Sequence, residues 1–531
     1  MREVGVGQLE NTNMALLSGN EAIGRGAIES GISLATSYAG TPATEILEYI
    51  ARNFSGDAEW AVNEKVAFET AIGASYANKR VLCSMKHVGL NVAADPLMTA
   101  SYLGTKGGLV LAIGDDPGAY SSQNEQDSRF YARFAKIPCL EPSDSQEAKD
   151  MTMKAFELSE RFRLPVMLRS LTRVSHSYSP VRIGTPREEN KFSLEKDPDR
   201  MLAVPKNVVR LHSALNKKYD ELKEWTEASK LNVIFRNKQK KGIIACGVTY
   251  AYAKEYGEAF ALLKISAYPV SENTIKKFVR GLDEVWVLEE GETIIEEMAR
   301  KYSKNVKGKI TGELRSEGEL GPDALSKYIS EGTVGSRPPA LEEPLPLRPP
   351  VMCPGCPHRE FYKALKAAGP SFTTGDIGCY TLGATKPLNA LDTCLCMGAS
   401  ISKAAGIAKQ GVKRTAAVIG DSTFIHSGIT GLINAVYNRA NITVFILDNS
   451  STAMTGHQPT PLIGISAKGE EAGKVDLEAL CRACGVNSVT VVDPYDIEAS
   501  EKVIREKLDA EGVNVVISRK PCLLVSRKAK K

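Results

Sequence analysis

Two sets of residues in this 531-residue chain could do chemistry. The first set is oxygen: Asp421 stands between Gly420 and Ser422, and Asn449 and Ser451 follow a later apolar run. A carboxylate, an amide oxygen and the Ser451 carbonyl are three hard ligands, the kind Mg²⁺ uses to hold a diphosphate while keeping an octahedral shell. The second set is sulfur: Cys353-Pro-Gly-Cys356, then Cys379, then Cys522. A close pair and two distant thiolates, gathered by the fold, suit a [4Fe-4S] cluster. Zinc takes four thiolates equally well, and spacing alone does not choose between the metals.

Local elements must bring these ligands together. Residues 416–419 are a short apolar run, Ile429, Leu432, Ile433 and Val436 recur at helical spacing, and residues 443–447 are apolar again. The pattern predicts one βαβ unit, whose strand ends open on the same sheet edge so that Asp421 and Asn449 can converge. An ordinary βαβ unit with a polar turn reads the same way. The alternation is repeated near the N-terminus, with a helix start at Gly19-Asn20-Glu21-Ala22, a strand over 34–38 and a Gly40-Thr41-Pro42 turn opening the next helix. Glu64 falls in the first turn of a helix, where an acid offsets the dipole. Residues 180–205 read as a charged connector and 206–236 as a surface helix; 242–245, 285–288 and a helix over 293–302 read as a second, smaller α/β domain, with Glu289-Glu290-Gly291 a strand-to-helix turn. Residues 336–350 hold six prolines and no periodicity, an extended linker. The expected organisation is 1–205, 206–335, the linker 336–350, and 351–531, an α/β class with doubly wound parallel sheets. Cys394, Cys396, Cys481 and Cys484 read as core thiols, and Cys83, Cys139 and Cys246 as small buried residues.

Composition narrows the function classes. At 43% hydrophobic and 24% charged the chain is ordinary for a globular protein, and a net charge of +4 over this length calls for no nucleic-acid partner. The terminal Arg527-Lys528-Ala529-Lys530-Lys531 reads as a solvated tail. No apolar run is long enough to span a membrane and no signal-peptide pattern opens the chain, so a cytoplasmic location is expected. Eleven cysteines then argue for reduced thiols or metal ligation, not a disulfide framework.

The Asp421 to Asn449 pattern resembles the metal and diphosphate motif of thiamine diphosphate enzymes, which begins Gly-Asp-Gly and closes with an Asn roughly thirty residues later; here Ser422 replaces the second Gly. Longer strings, NEKVAFE, MKHVGLNVAADPL, SSQNEQD, FAKIPCLEPSDSQEAKD, CPGCPHR, DIGCYTLG, CMGAS and TAMTGHQ, are similar to the large subunits of indolepyruvate ferredoxin oxidoreductases from about residue 15 to 522. The resemblance implies a thiamine-diphosphate-binding fold with a transketolase C-terminal-like middle domain, and coenzyme-A-dependent oxidative decarboxylation of arylpyruvates with electrons passed to ferredoxin. It implies that Glu64 activates the aminopyrimidine ring, and that Gly40, Thr41, Lys86, His87, Asn91 and the 121–127 loop lie near the active site. Gly420, Asp421, Ser422, Asn449, Ser451, Met454 and Thr455 would hold the diphosphate and Mg²⁺. His358, Tyr380 and His457 would serve as acid-base or positioning groups near the thiazolium; equally, they could be turn residues. The Cys353, Cys356, Cys379 and Cys522 order is similar to that of the cluster nearest the thiamine in pyruvate and 2-oxoglutarate ferredoxin oxidoreductases. A small beta subunit in a two-plus-two assembly completes the implied enzyme.

The sequence also departs from that family. Its ferredoxin-like CxxCxxCxxxCP repeats are missing here, which leaves a separate ferredoxin-like subunit, direct exit from the proposed cluster, or a non-oxidative decarboxylase or ligase. Ala39, Tyr120 and Thr460-Pro461-Leu462 stand where the family usually has Pro, His and His-Pro-Gly, so the aryl side chain of the substrate is an expectation to be tested. A non-catalytic assembly or regulatory subunit would show erosion of the cofactor residues, yet Glu64, Asp421 and Asn449 are all present.

Overall fold

A computed structural model gives the structure of the chain and describes residues 13–322, 325, 326, 329 and 350–528. The expected linker, Pro350 excepted, lies outside the described residues, as do the last three residues of the basic tail. The chain forms two compact units, Met1–Ala340 and Leu341–Lys531.

The first unit is built on a seven-stranded sheet in the spatial order Ala267–Tyr268, Cys139–Leu140, Val166–Leu171, Leu109–Asp115, Val81–Lys86, Leu34–Ser37, Asp57–Trp60. Every pairing is parallel except that of Ala267–Tyr268 with Cys139–Leu140. The three central strands are buried at every residue, as parallel strands covered on both faces must be. Helices Gly19–Glu29 and Ser145–Phe162 cover one face through Ala22, Ile23, Ala148 and Met151. Helices Glu64–Tyr76 and Ala94–Leu103 cover the other through Phe68, Ala71 and Leu97. The starts are set by caps: Ser18 and Glu21 form a capping box, and Asn63 Oδ1 accepts from Val66 N at 2.9 Å.

The middle segment departs from its sequence reading in two places. Helix Pro205–Ala228 ends short of residue 236, because the β-branched and aromatic run Val233–Phe235 pairs as an antiparallel edge strand beside Phe260–Ile265. The supposed connector begins with strand Tyr178–Arg182, paired antiparallel with Met14–Ser18. A second sheet runs Val306–Lys307, Glu284–Leu288, Lys241–Cys246, Phe260–Ile265, Val233–Phe235. Its cover is continuous with the first: Ile275, Phe278, Val285 and Val306 share one apolar cluster with Phe68 and Leu97. Buried ion pairs gather at the same seam, and the Arg129–Glu289 pair crosses it. Arg169 meets Asp115 at 2.6 Å and Glu141 at 2.7 Å, and Arg129 meets Asp127 at 2.5 Å and Glu289 at 2.9 Å. Glu289-Glu290-Gly291 is a strand-to-helix turn, and Glu289 accepts from Ile295 N and Glu296 N at the start of helix Ile294–Arg300.

The second unit is a five-stranded, all-parallel sheet ordered Phe372–Thr374, Thr415–Gly420, Ile442–Asp448, Val513–Arg519, Ser488–Val492. Helices Pro357–Ala368 and Ile497–Asp509 pack on one face through Phe361, Leu365 and Ile504. Helix Ala399–Ala408 and the helical run from Asp421 to Tyr437 pack on the other through Ile401, Phe424 and Leu432. The expected βαβ unit is therefore present and lies in the middle of a doubly wound sheet.

Candidate functional site

In the second unit the site is built at the carboxyl ends of two adjacent strands. Gly420 pairs with Leu447, so Asp421 and the 448–451 segment leave the sheet side by side. Gly420 is required by close approach, since a Cβ there would run into the Tyr380 ring. Asp421 is buried; Oδ1 accepts from Ser422 N at 2.8 Å and Oδ2 from Ser450 N at 3.0 Å, which folds the downstream loop over the carboxylate. Burial, and then the Asp448 carboxylate beside it, push the Asp421 carboxyl well above the usual carboxylate range. Asp448 has its own cation, Arg519 Nε at 2.8 Å, but Asp421 is met by backbone donors. A buried acid faced by a second acid is what a hard cation relieves.

Asn449 is buried and committed on both ends of its amide. Oδ1 accepts from Ser451 N at 3.1 Å and Nδ2 donates to His358 Nε2 at 3.1 Å. Burial holds His358 down to about 4, so the ring is neutral and can accept that proton. The geometry thus makes His358 a holder of Asn449. Tyr380 stands edge-on to His358 with ring centroids 6.1 Å apart, and its hydroxyl donates to Ile377 O at 2.7 Å. Ser422 Oγ and Thr452 Oγ1 are 2.9 Å apart. Thr455 donates to Gln458 Oε1 at 2.5 Å within a turn, Met454 is exposed, and His457 Nδ1 lies 3.5 Å from Ser451 Oγ. Between Asp421 and helix Ile429–Tyr437 the chain makes one wide π turn, Phe424–Gly428, that the periodicity did not reveal.

Four cysteines gather on the same unit. Cys353 is exposed while Cys356, Cys379 and Cys522 are half-buried. Gly355 takes φ +73° in the Cys353-to-Cys356 turn, which closes by Cys356 N donating to Cys353 O at 3.1 Å. Cys356 then caps helix Pro357–Ala368, whose first N–H groups favour its thiolate, although burial raises its pKa overall. Burial, and then the charges of Cys356, Cys522 and Cys353, push Cys379 up to about 12. Among the described residues no three His, Cys, Asp or Glu side chains are already arranged to hold a single metal ion. Cys394 and Cys396 correct the sequence reading: they are half-buried and exposed, in an irregular stretch outside any helix or strand, instead of in the core. Cys83, Cys139 and Cys246 are buried as expected.

In the first unit Glu64 opens helix Glu64–Tyr76 and is buried. Its side chain lies against Gly89, where a Cβ would sit 2.6 Å from Glu64 Cγ and 2.8 Å from Cδ. Lys86 packs its stem on Gly40, with Cγ 2.9 Å from a Cβ built there, and donates to Ser121 O at 2.9 Å. Burial lowers Lys86 to about 8, with Asp116 and Glu64 opposing the shift. His87 is buried with Nε2 3.2 Å from Asn124 O and no hydrogen-bond partner at Nδ1. Gly40, Thr41, Glu64, Lys86 and His87 therefore share the carboxyl edge of one sheet. Asn91 is exposed and accepts from Tyr131 Oη at 2.7 Å.

Three residues of consequence escaped the sequence reading. Asp376 is buried and accepts from Gly398 N at 2.8 Å and Ser400 N at 2.9 Å, anchoring helix Ala399–Ala408. Asp448 and Arg519 are register partners on adjacent strands, a pairing no local pattern encodes.

Comparison with known proteins gives the family of the chain. Residues 25–238 match the family described as Pyruvate flavodoxin/ferredoxin oxidoreductase, thiamine diP-bdg, and residues 376–518 match Thiamine pyrophosphate enzyme, C-terminal TPP binding domain. The chain is 42% identical to Indolepyruvate oxidoreductase subunit IorA of Archaeoglobus fulgidus over 97% of its own length and 87% of the relative's. It is 41% identical to the subunit of the same name from Methanothermobacter thermautotrophicus over 96% and 87%. In fold it is similar to a 2-oxoglutarate:ferredoxin oxidoreductase from Magnetococcus marinus, with a TM-score of 0.50, 16% identity, and coverage of 60% of this chain and 65% of that one. The chain has the thiamine-diphosphate-binding fold and belongs to the indolepyruvate oxidoreductase subunit IorA family of enzyme subunits.

Proposed function

We propose that this chain is the thiamine-diphosphate-binding subunit of an enzyme that oxidatively decarboxylates a 2-oxoacid, an arylpyruvate such as indolepyruvate, to an acyl-coenzyme A with electrons passed to ferredoxin. The observation that carries the reading is Asp421: a buried carboxylate beside Asp448, at the ends of parallel strands, with the Asn449 loop folded over it. Asp421, Asn449 and the Ser451 carbonyl would hold Mg²⁺ and the diphosphate, and Glu64 would hydrogen-bond the aminopyrimidine. Thiamine diphosphate, when bound, supplies an electron sink for the carboxylate-bearing carbon. His358 keeps the Asn449 amide oriented, and Lys86, with its depressed pKa, is placed to hold or move a proton at Nζ.

For the cysteines, a single zinc ion needs all four sulfurs about 2.3 Å from one point. A four-iron cluster takes one thiolate at each corner, and the mutual influence of Cys379 with Cys356, Cys522 and Cys353 supports a shared four-thiolate site, read here as iron. Family membership supports a small partner subunit in a two-plus-two assembly, and a ferredoxin or separate ferredoxin-like subunit as the electron acceptor. Eleven free cysteines suit a reducing cytoplasm, and among the described residues no helix is long and apolar enough to cross a membrane.

The test is iron, acid-labile sulfide and zinc per chain after anaerobic purification, with Cys353→Ala and Cys522→Ala alongside. About four irons and four sulfides, lost in both variants, is the expected result. Well-folded protein with no iron would remove the redox step and leave a non-oxidative decarboxylase or ligase. A thermal shift with thiamine diphosphate and Mg²⁺, absent in Asp421→Ala, tests the cofactor site separately; its absence in the wild type would favour a non-catalytic subunit.

A further inference from the structure

A cavity of about 570 Å³ in the first unit lies away from Glu64 and Lys86, at the seam where the two sheets meet. Its volume is within the range of small-molecule sites. The floor is apolar, from Ala132, Ile137, Val270 and Ile294; besides Arg129, which is held by Asp127 and Glu289, four cations line it from separate elements. Arg133 comes from helix Arg129–Ala135, Lys223 from helix Pro205–Ala228, Lys276 from helix Glu272–Val279, and Lys301 from just beyond helix Ile294–Arg300.

Their present partners are few. Lys276 lies over the Tyr302 ring at 4.7 Å, and Lys223 lies over the Tyr219 ring at 4.9 Å while meeting Asp220 at 2.8 Å. Lys301 reaches Glu272 only at 3.7 Å. Two acids also line the cavity, but Glu272 accepts from Tyr302 Oη at 2.6 Å, and Glu297 from Thr293 Oγ1 at 3.4 Å. One carboxylate could engage one or two of these cations. Converging cations around an apolar floor match several negative charges on a compact organic body.

We propose that this cavity binds a small phosphorylated molecule of nucleoside-diphosphate size, its phosphates between Arg133, Lys276 and Lys301 and its body over the apolar floor beside Tyr219. The site is independent of the cofactor reading. By joining four helices it would clamp the two sheets of the unit together, so occupancy would raise the unit's stability.

The experiment is equilibrium dialysis of radiolabelled ADP against the full chain at low salt, in the wild type, Arg133→Ser/Lys276→Ser and Asp421→Ala. Saturable binding is expected, weakened at least tenfold in the double variant and unchanged in Asp421→Ala, with inorganic phosphate and adenosine each competing poorly. No saturable ADP binding to the wild type would overturn the proposal. So would binding lost in Asp421→Ala and kept in the double variant, because the nucleotide would then occupy the diphosphate crease. Should the double variant not fold, photolabelling of the wild type with 8-azido-ADP decides the matter: label on residues 129–137 or 219–223 supports the site, and label confined to other peptides overturns it.

Discussion

Asn449 joins two cysteine-bearing segments: its side-chain amide donates to His358 Nε2 at 3.1 Å, two residues past Cys356, and its carbonyl accepts from Cys522 N at 3.0 Å. The residue expected to face the metal thus also ties together the segments that carry Cys356 and Cys522.

Replacing His358 with Ala should leave Asn449 Nδ2 buried and without its acceptor, at about 1–3 kcal/mol in urea unfolding. The ring also sets a pH signature. Its folded pKa of about 4 lies below its ordinary 6.5, so the unfolded chain binds more protons between those values. Stability from this group is present above pH 6.5 and is lost as pH falls through 4, on the order of 3 kcal/mol in all. The His358 contribution to the slope should be missing in His358→Ala; a slope identical to the wild type's would mean that the ring is not buried in solution.

Glu290 should act in the opposite sense. It is buried, Oε1 accepts from Leu320 N at 2.8 Å, and Oε2 has no hydrogen-bond partner. Burial, then Glu319, raise it from 4.5 to about 7, with the Leu320 N–H and Arg169 pulling the other way. The folded state keeps a proton that the unfolded chain releases, so stability is full below pH 4.5 and declines as pH rises through 7. Glu290→Gln keeps an acceptor for Leu320 N and should unfold at higher urea than the wild type at pH 8, with the difference closing near pH 4.5.

Gly89→Ala tests the placement of Glu64 without touching its charge. The new Cβ would collide with Glu64 Oε1, displacing the carboxylate by a few tenths of an ångström or more. With the partner subunit present, kcat/KM should fall about 100-fold, as expected when a catalytic group is misplaced by about 1 Å, while far-ultraviolet circular dichroism stays unchanged. Full activity would remove Glu64 from the reaction.

Arg169→Met should be among the costliest substitutions in the first unit. It would leave Asp115 and Glu141 without their shared guanidinium, and breaking a buried pair in this way costs about 3–5 kcal/mol. Arg169→Lys should rescue little, because one ammonium cannot reproduce the planar fork that meets both carboxylates. Urea midpoints of the two variants check this.

What the sequence disclosed was local. The apolar run into Gly420-Asp421 and the helix opening at Glu64 are each written within a few residues, and each sits where the pattern put it. The pairing of Asp448 with Arg519, the anchoring of helix Ala399–Ala408 by Asp376 and the docking of Glu289 onto Arg129 depend on strand order and packing. Two-residue strands such as Ala267–Tyr268 carry no periodicity at all. Cys394 and Cys396 misled because apolar neighbours set the local composition, whereas the stretch that carries them is irregular and partly exposed.

That short strand also bears on synthesis. The Cys139–Leu140 edge of the first sheet stays unpaired on the ribosome until Ala267 and Tyr268 emerge, after most of the second sheet's strands have been made. An open edge held for that long is a site for wrong pairing, and closure at high sequence separation is slow. The first unit should therefore mature late and as one cooperative body, and chains released before residue 268 should be the ones that chaperones retain.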